Sequence, residues 1–331
     1  MNAPPLLELR ALGVELTRTR PARPLVRDVS LTVGPGESVG LVGESGSGKS
    51  MTVKAAMRLL PADARVHGDI LFEDRSVLSL DRRGLAHYRR TEVAMIHQDP
   101  RAHTNPLRTV GDFVTEAVVT TRRATKKQAM SRARDLLGQM GIDDADRRLH
   151  QYPHQLSGGL LQRVMIAAAL MTEPKLIFAD EPTTALDVTV QSEVLAILVE
   201  QVQQRGLGML FITHDLDLAA AVTDTLAVMY AGTLVERGPS AGVYAEPRHP
   251  YTAALLASRP SATEVRRLVS IPGRPATAFE VDEGCAFAAR CPFVVDRCRV
   301  ERPMLREVDG RMVACHRSEE LAPTLGQAAS A

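Results

Sequence analysis

The chain contains no tryptophan, and aromatic residues make up only 4% of it. That poverty argues against a surface on which nucleobases stack. A cationic surface is missing as well: 40 Lys and Arg stand against 39 Asp and Glu, a formal net charge of +1, which leaves no basic excess to neutralise a phosphate backbone. Long apolar runs are absent. Stretches such as Val164 to Met171 are far too short to cross a bilayer, and the start Met1-Asn2-Ala3-Pro4-Pro5 lacks the pattern of a secretory signal. Any membrane association is therefore expected to come through partner subunits. No internal repeat is visible, and no cysteine precedes residue 285. The length of 331 residues suggests about two domains with ample core.

What is present begins with a glycine loop. Gly43-Glu44-Ser45-Gly46-Ser47-Gly48-Lys49-Ser50 follows the apolar run Ser38-Val39-Gly40-Leu41-Val42, which reads as strand, loop and helix start. Glycines let successive N–H groups converge on phosphate oxygens, Lys49 reaches the terminal phosphates, and the Ser50 hydroxyl suits magnesium. A second element, Leu176-Ile177-Phe178-Ala179-Asp180-Glu181-Pro182, runs an apolar strand into two carboxylates. The end of a buried parallel strand faces the ligand crevice, so Asp180 is placed to hold magnesium and Glu181 to polarise the attacking water.

Between them lies Leu156-Ser157-Gly158-Gly159-Leu160-Leu161-Gln162-Arg163. Ser157, Gly158 and Gly159 start a helix that continues through Leu170, so free N–H groups and the positive helix end suit an anion. Other phosphate-loop enzymes, such as GTPases and some kinases, lack this third element.

With these three elements in one chain, the sequence resembles the ATP-binding subunits of ABC transporters. Further marks follow in order at Gln98 in Met95-Ile96-His97-Gln98-Asp99-Pro100, at Ala185-Leu186-Asp187, and at His214 in Phe211-Ile212-Thr213-His214-Asp215. The resemblance implies an α/β fold: a P-loop NTPase core, RecA-like with a β-subdomain, and an inserted helical subdomain at about residues 100–165. It also implies that Gln98 senses magnesium and the attacking water, that His214 contacts the terminal phosphate, and that Ser157, Gly158 and Gly159 bind ATP held by an opposite subunit. One loop and one signature per chain then require a second ATPase subunit, expected to be a paralogue in a heterodimer. The cofactors implied are ATP and Mg2+.

Beyond residue 240, His249-Pro250-Tyr251-Thr252-Ala253-Ala254-Leu255-Leu256, then Ile271-Pro272-Gly273 and Gly284-Cys285, resemble the C-terminal extension of oligopeptide and dipeptide importer ATPases. An ATP-binding domain at 1–240 and an extension at 241–331 are expected. That group implies two transmembrane permease subunits, an external substrate-binding protein, no nucleic acid, and a peripheral position on the cytoplasmic side of the inner membrane. Import of nickel or another small solute by the same machinery is the alternative, and a soluble, non-transport ABC ATPase is a further one.

The extension holds Cys285, Cys291, Cys298 and Cys315. Reduced cytosolic thiols clustered in this way suggest metal, and four thiolates suit tetrahedral zinc or an iron–sulfur cluster. The resemblance implies a [4Fe-4S] cluster; zinc and inert thiols stay open, and His316 reads as a bystander. Because the extension lies outside the ATP motifs, its role is expected to be structural or to set partner contacts. The chain departs from the family pattern in three places: at Leu160 and Leu161 in the signature, at Leu16 where an aromatic stacks on adenine, and at His97 with Arg101-Ala102-His103-Thr104 around the glutamine loop.

Overall fold

The computed structural model describes residues 4–18, 21–184, 186–259, 270–281 and 283–330. Ala185 of the Ala185-Leu186-Asp187 motif and residues 1–3 lie outside them. The chain divides into two compact units, Met1–Ser79 with Phe211–Ala331, and Leu80–Leu210.

In the first unit, Arg23–Val33, Leu7–Leu16, Ala64–Phe72 and Arg75–Ser76 form an antiparallel sheet in that spatial order. Leu7, Leu9, Leu12 and Val14 are buried along one strand, the alternation of a half-buried sheet. The alternation resets at Ala11, whose φ of 48° accompanies a shift of register between Leu9 and Leu12. Sequence alone suggests a strand only at Ser30–Val33 and a turn from Thr17 to Pro24. The strand instead starts at Arg23, because it lies at the sheet edge, where a proline and charged side chains are tolerated.

A second sheet begins with Ser38–Val42, buried at every position, the pattern of a strand covered on both faces. It pairs in parallel with Thr225–Tyr230, Val39 opposite Thr225 and Val42 opposite Val228. Antiparallel pairing then continues through Thr233–Pro239 and Arg311–Val313 to Arg306–Val308. The residues after 240 thus return to this sheet, with Glu236 opposite Val313.

Buried polar groups fix the start of the extension. The fully buried Glu236 carboxylate accepts the N–H groups of Arg248 (2.8 Å) and His249 (3.0 Å). Burial raises the Glu236 pKa and drives that of His249 down to about 3, so the imidazole is neutral. Its Nδ1 can then accept from Tyr251 N at 3.0 Å, capping the helix Pro250–Ala257, in which Pro250 takes the first position and costs no hydrogen bond. Ala253 packs with Leu321, Leu325 and Phe293 in a small apolar cluster.

In the second unit, Val93–Ile96 runs parallel to Leu176–Asp180, Val93 opposite Leu176. The stretch expected to be helical holds Val110–Thr120, Lys126–Gln139, Ala145–Leu149 and Gly158–Met171. Gly158–Met171 packs against Val110–Thr120, Lys126–Gln139, the Val93–Ile96 strand and the helix Val188–Arg205, which explains why apolar residues are buried nearly all round it. Val188–Arg205 outruns the amphipathic stretch Ser192–Gln203 read from sequence. Asp187 caps its start by accepting from Val190 N at 3.0 Å, and Gly206, at φ 62°, ends it.

Lys126–Gln139 depends on local chemistry, since Thr125 and Gln128 form a reciprocal capping box at its start. Thr125→Ala should cost about 1 kcal/mol of unfolding free energy by denaturant titration while leaving nucleotide affinity unchanged; a stability equal to that of the parent chain would deny the cap its role.

Candidate functional site

The loop Gly43–Ser50 leaves the buried strand Ser38–Val42 and enters the helix Lys49–Ala56. Its turn needs glycine. Gly43 has φ 155°, and a Cβ there would stand 2.1 Å from the Met229 carbonyl oxygen; at Gly48, φ 104°, a Cβ would meet Leu25 O at 2.9 Å. Lys49 is buried, and its Nζ donates to the carbonyls of Gly43 (2.6 Å) and Glu44 (3.0 Å), so the ammonium is held against the loop. The Ser47 hydroxyl is buried with no hydrogen-bond partner among the described residues. A backbone turn closed to side chains at Gly43 and Gly48, a buried ammonium and a hydroxyl lacking a partner among the described residues together fit a polyphosphate ligand. His214, also in this unit, is exposed at the end of the strand Gly208–Thr213, directly before Asp215, which caps Leu216–Val222 by accepting from Leu218 N at 3.0 Å.

Gln98, Ser157, Gly158, Gly159, Asp180 and Glu181 belong to the second unit. Asp180 ends the buried strand Leu176–Asp180, and Glu181 follows with φ 46°, a left-handed conformation that a residue with a long side chain rarely adopts. Its Oε2 accepts from Gln98 Nε2 at 3.1 Å and from Thr184 Oγ1 at 2.9 Å. The glutamine and the acidic strand end, 83 residues apart, are thus in direct contact, and Thr184 is a partner that sequence reading missed. The unusual residues after Gln98 organise themselves: Asp99 Oδ1 accepts from Arg101 N at 2.8 Å, and the rings of His97 and His103 stack with centroids 3.7 Å apart.

Ser157 is the N-cap of Gly158–Met171, its Oγ accepting from Leu160 N at 3.3 Å. Leu161 is buried in the packing of that helix, which accounts for one apolar departure in the signature. Arg163 ties the helix to its neighbours, donating to Glu193 Oε2 at 2.7 Å and to the carbonyls of Met140 and Gly141. Leu16 closes its strand opposite Arg23 and Ala64.

The four cysteines come together. Cys285, Cys291, Cys298 and Cys315 line one small pocket, with Phe287, Phe293 and His249 in its wall. Burial, and then the charges of the other three cysteines, push the Cys285 thiol up to about 12; burial likewise pushes Cys315 to about 11 and raises Cys291. The expectation of a metal site needs correction in one respect: among the described residues no group of three or more His, Cys, Asp or Glu is arranged to hold a metal ion. Mononuclear zinc would require four sulfurs within about 2.3 Å of one point. His316 lines the same pocket, and its ring nitrogen Nε2 lies 2.9 Å from the Glu301 carbonyl.

The extension also reaches the phosphate loop. Glu44 N donates to Tyr251 Oη at 3.0 Å, and the Glu44 carboxylate takes both terminal nitrogens of Arg290 at 2.7 and 3.2 Å. The sequence reading, which set the extension apart from the ATP motifs, missed this contact.

Comparison with known proteins agrees with this layout. The ABC transporter family model matches residues 26–184, and the model for the oligopeptide/dipeptide transporter C-terminal region matches residues 235–298. A probable peptide ABC transporter ATP-binding protein of Sinorhizobium fredii is 41% identical, with 96% of each chain covered. The dipeptide transport ATP-binding protein of Escherichia coli is 45% identical, covering 87% of this chain and 89% of its own. Among solved structures, a Clostridium perfringens subunit described as part of an ABC transporter complex superposes with a TM-score of 0.65 at 26% identity, covering 74% of this chain and 92% of its own. A dimeric ATP-binding cassette bound to ADP and phosphate in a post-hydrolysis state gives 0.63 at 25% identity, covering 71% and 98%. The chain belongs to the ABC transporter ATP-binding family, in the branch that carries the oligopeptide/dipeptide transporter C-terminal region.

Proposed function

We propose that this chain hydrolyses ATP to energise peptide import through two permease subunits fed by an external binding protein. It would work from the cytoplasmic side of the inner membrane and pair with a paralogous ATPase subunit. Residues 1–240 would form the ATP-binding domain and 241–331 the importer-type extension. The observation that carries the catalytic reading is the Glu181 carboxylate, held at a strained backbone position between the neutral donors Gln98 and Thr184. Kinship carries the cargo: relatives over nearly the whole chain are named for peptide or dipeptide transport.

In this reading the loop of Gly43, Ser45, Gly46, Ser47 and Gly48 cradles the phosphates, Glu44 shapes that loop through its N–H on Tyr251, and Lys49 turns from the loop carbonyls to the terminal phosphates. Ser50, Asp180 and Gln98 would hold magnesium, which when bound neutralises charge between the outer phosphates. Glu181 accepts a proton from the attacking water, with Gln98 setting its orientation, and His214 donates to the terminal phosphate. Ser157, Gly158 and Gly159 present the N-terminus of a long helix to ATP on the partner.

The four cysteines would hold a [4Fe-4S] cluster. The support for this reading is that all four cysteines line one pocket, the ligand number that one cubane takes. A bound cluster would cross-link the extension and convert the thiols to thiolates.

Glu181→Gln preserves shape and hydrogen bonding but removes the base. ATP turnover in the reconstituted transporter should fall by about a hundredfold or more while ATP binding persists; near-parental turnover would reject the assignment. Protein purified without oxygen should carry roughly four irons per chain, with broad visible absorption that Cys298→Ser abolishes. One equivalent of zinc without iron, or no metal at all, would reject the cluster.

A further inference from the structure

Glu44 is an acidic residue inside a loop built to bind anions, and its surroundings resolve that conflict. Each of its polar groups has a partner. The carbonyl accepts from Lys49 Nζ at 3.0 Å, the N–H donates to Tyr251 Oη at 3.0 Å, and the carboxylate sits in the fork of Arg290. The Arg290 side chain is only 6% exposed and that of Glu44 23%, so the pair is largely shielded from solvent.

Arg290 itself is anchored rigidly. Its Nε donates to Pro272 O at 2.8 Å, and its Nη1 donates to Tyr230 Oη at 3.3 Å. Two sequence landmarks of the extension therefore meet at one guanidinium: the Ile271-Pro272-Gly273 segment and the cysteine-bearing turn. The turn is short and internally bonded, with Ala288 N donating to Cys285 O at 3.0 Å and Arg290 N to Phe287 O at 3.0 Å. Phe287, in the wall of the cysteine cavity, packs with both tyrosines; its ring centroid is 5.3 Å from that of Tyr230 and 5.3 Å from that of Tyr251. Tyr230 and Tyr251 lie 4.6 Å apart. All three rings are fully buried.

We propose that Arg290, with Tyr251, is a positioning residue for the phosphate loop: acting through Glu44, the cysteine-bearing turn holds the loop in its binding shape and neutralises the carboxylate beside it. This rests on reading the loop as a nucleotide site. A bidentate guanidinium–carboxylate pair is both directional and charge-balancing. Removing the guanidinium leaves a partly buried, uncompensated negative charge on the loop, where it repels incoming phosphates. The extension thus contributes to nucleotide affinity without touching the nucleotide.

The charge argument separates this role from simple packing. In the full-length protein, titrated with MgATP and followed by a fluorescent nucleotide analogue, Arg290→Gln should raise Kd by tenfold or more. Adding Glu44→Gln to that variant removes the uncompensated charge and should bring Kd back to within about threefold of the parent. Arg290→Lys, which keeps the charge but loses the fork, should fall between. Thermal melting of each variant reports folding independently. Parental affinity in Arg290→Gln would overturn the proposal. So would a loss of affinity that Glu44→Gln fails to restore, because that result assigns Arg290 to packing alone. Lys49→Ala in the same titration is the control for the underlying reading: if it binds MgATP like the parent, the loop is not the nucleotide site, a failure distinct from either outcome at Arg290.

Discussion

The structure of the first unit turns on the absence of a side chain at Gly43. The Met229 carbonyl oxygen occupies the space that a Cβ would need, at 2.1 Å. Met229 belongs to the strand Thr225–Tyr230, which pairs in parallel with Ser38–Val42, so strand pairing and loop geometry are one constraint rather than two. The loop can turn back over its own strand only because that neighbour's backbone is allowed to approach. The next residue on the same strand, Tyr230, extends the constraint into the ring cluster with Tyr251 and Phe287, and from there to the cysteine turn. Phosphate loop, central strand and extension are thus fixed by contiguous residues of one element.

Much of the site was legible because its chemistry is local. A glycine loop between an apolar run and a helix start, or a serine three residues before the N–H it caps, is decided by φ, ψ and hydrogen bonds within a few positions. The same holds for Asp187 and for the His249-Pro250 start of its helix, although from sequence that histidine looked like a family mark and not a neutral cap. What escaped is non-local. Glu44 and Arg290 are 246 residues apart, and nothing in either neighbourhood says that one carboxylate in an anion-binding loop must be matched by a cation in the tail. Thr184 as a donor to Glu181 was hidden for another reason: three residues of spacing become a contact only because Glu181 takes φ 46°, which sequence does not report.

The limits of the predicted elements have equally physical causes. The helix Val188–Arg205 begins before its apolar periodicity does, because a cap and not an apolar face sets its start. The strand Arg23–Val33 contains residues that read as a turn, because an edge strand tolerates a proline and charges that an interior strand excludes. The cysteines were recognised as a set from composition and compartment, yet their spacing could not distinguish one ion from a larger group. That the four share one pocket is information that only the fold supplies.

Three glutamates show how far partners, and not residue type, assign roles in this chain. Glu236 is fully buried and accepts two backbone N–H groups, so its carboxylate serves as a structural acceptor that fixes where the extension begins. Glu44 is paired with a guanidinium, which cancels its charge where anions are to bind. Glu181 accepts from an amide and a hydroxyl, those of Gln98 and Thr184, which orient its carboxylate at the end of the acidic strand. The three environments differ in their partners, backbone N–H groups at Glu236, a guanidinium at Glu44, and an amide with a hydroxyl at Glu181, so one residue type is set in three different ways by what the fold brings to it.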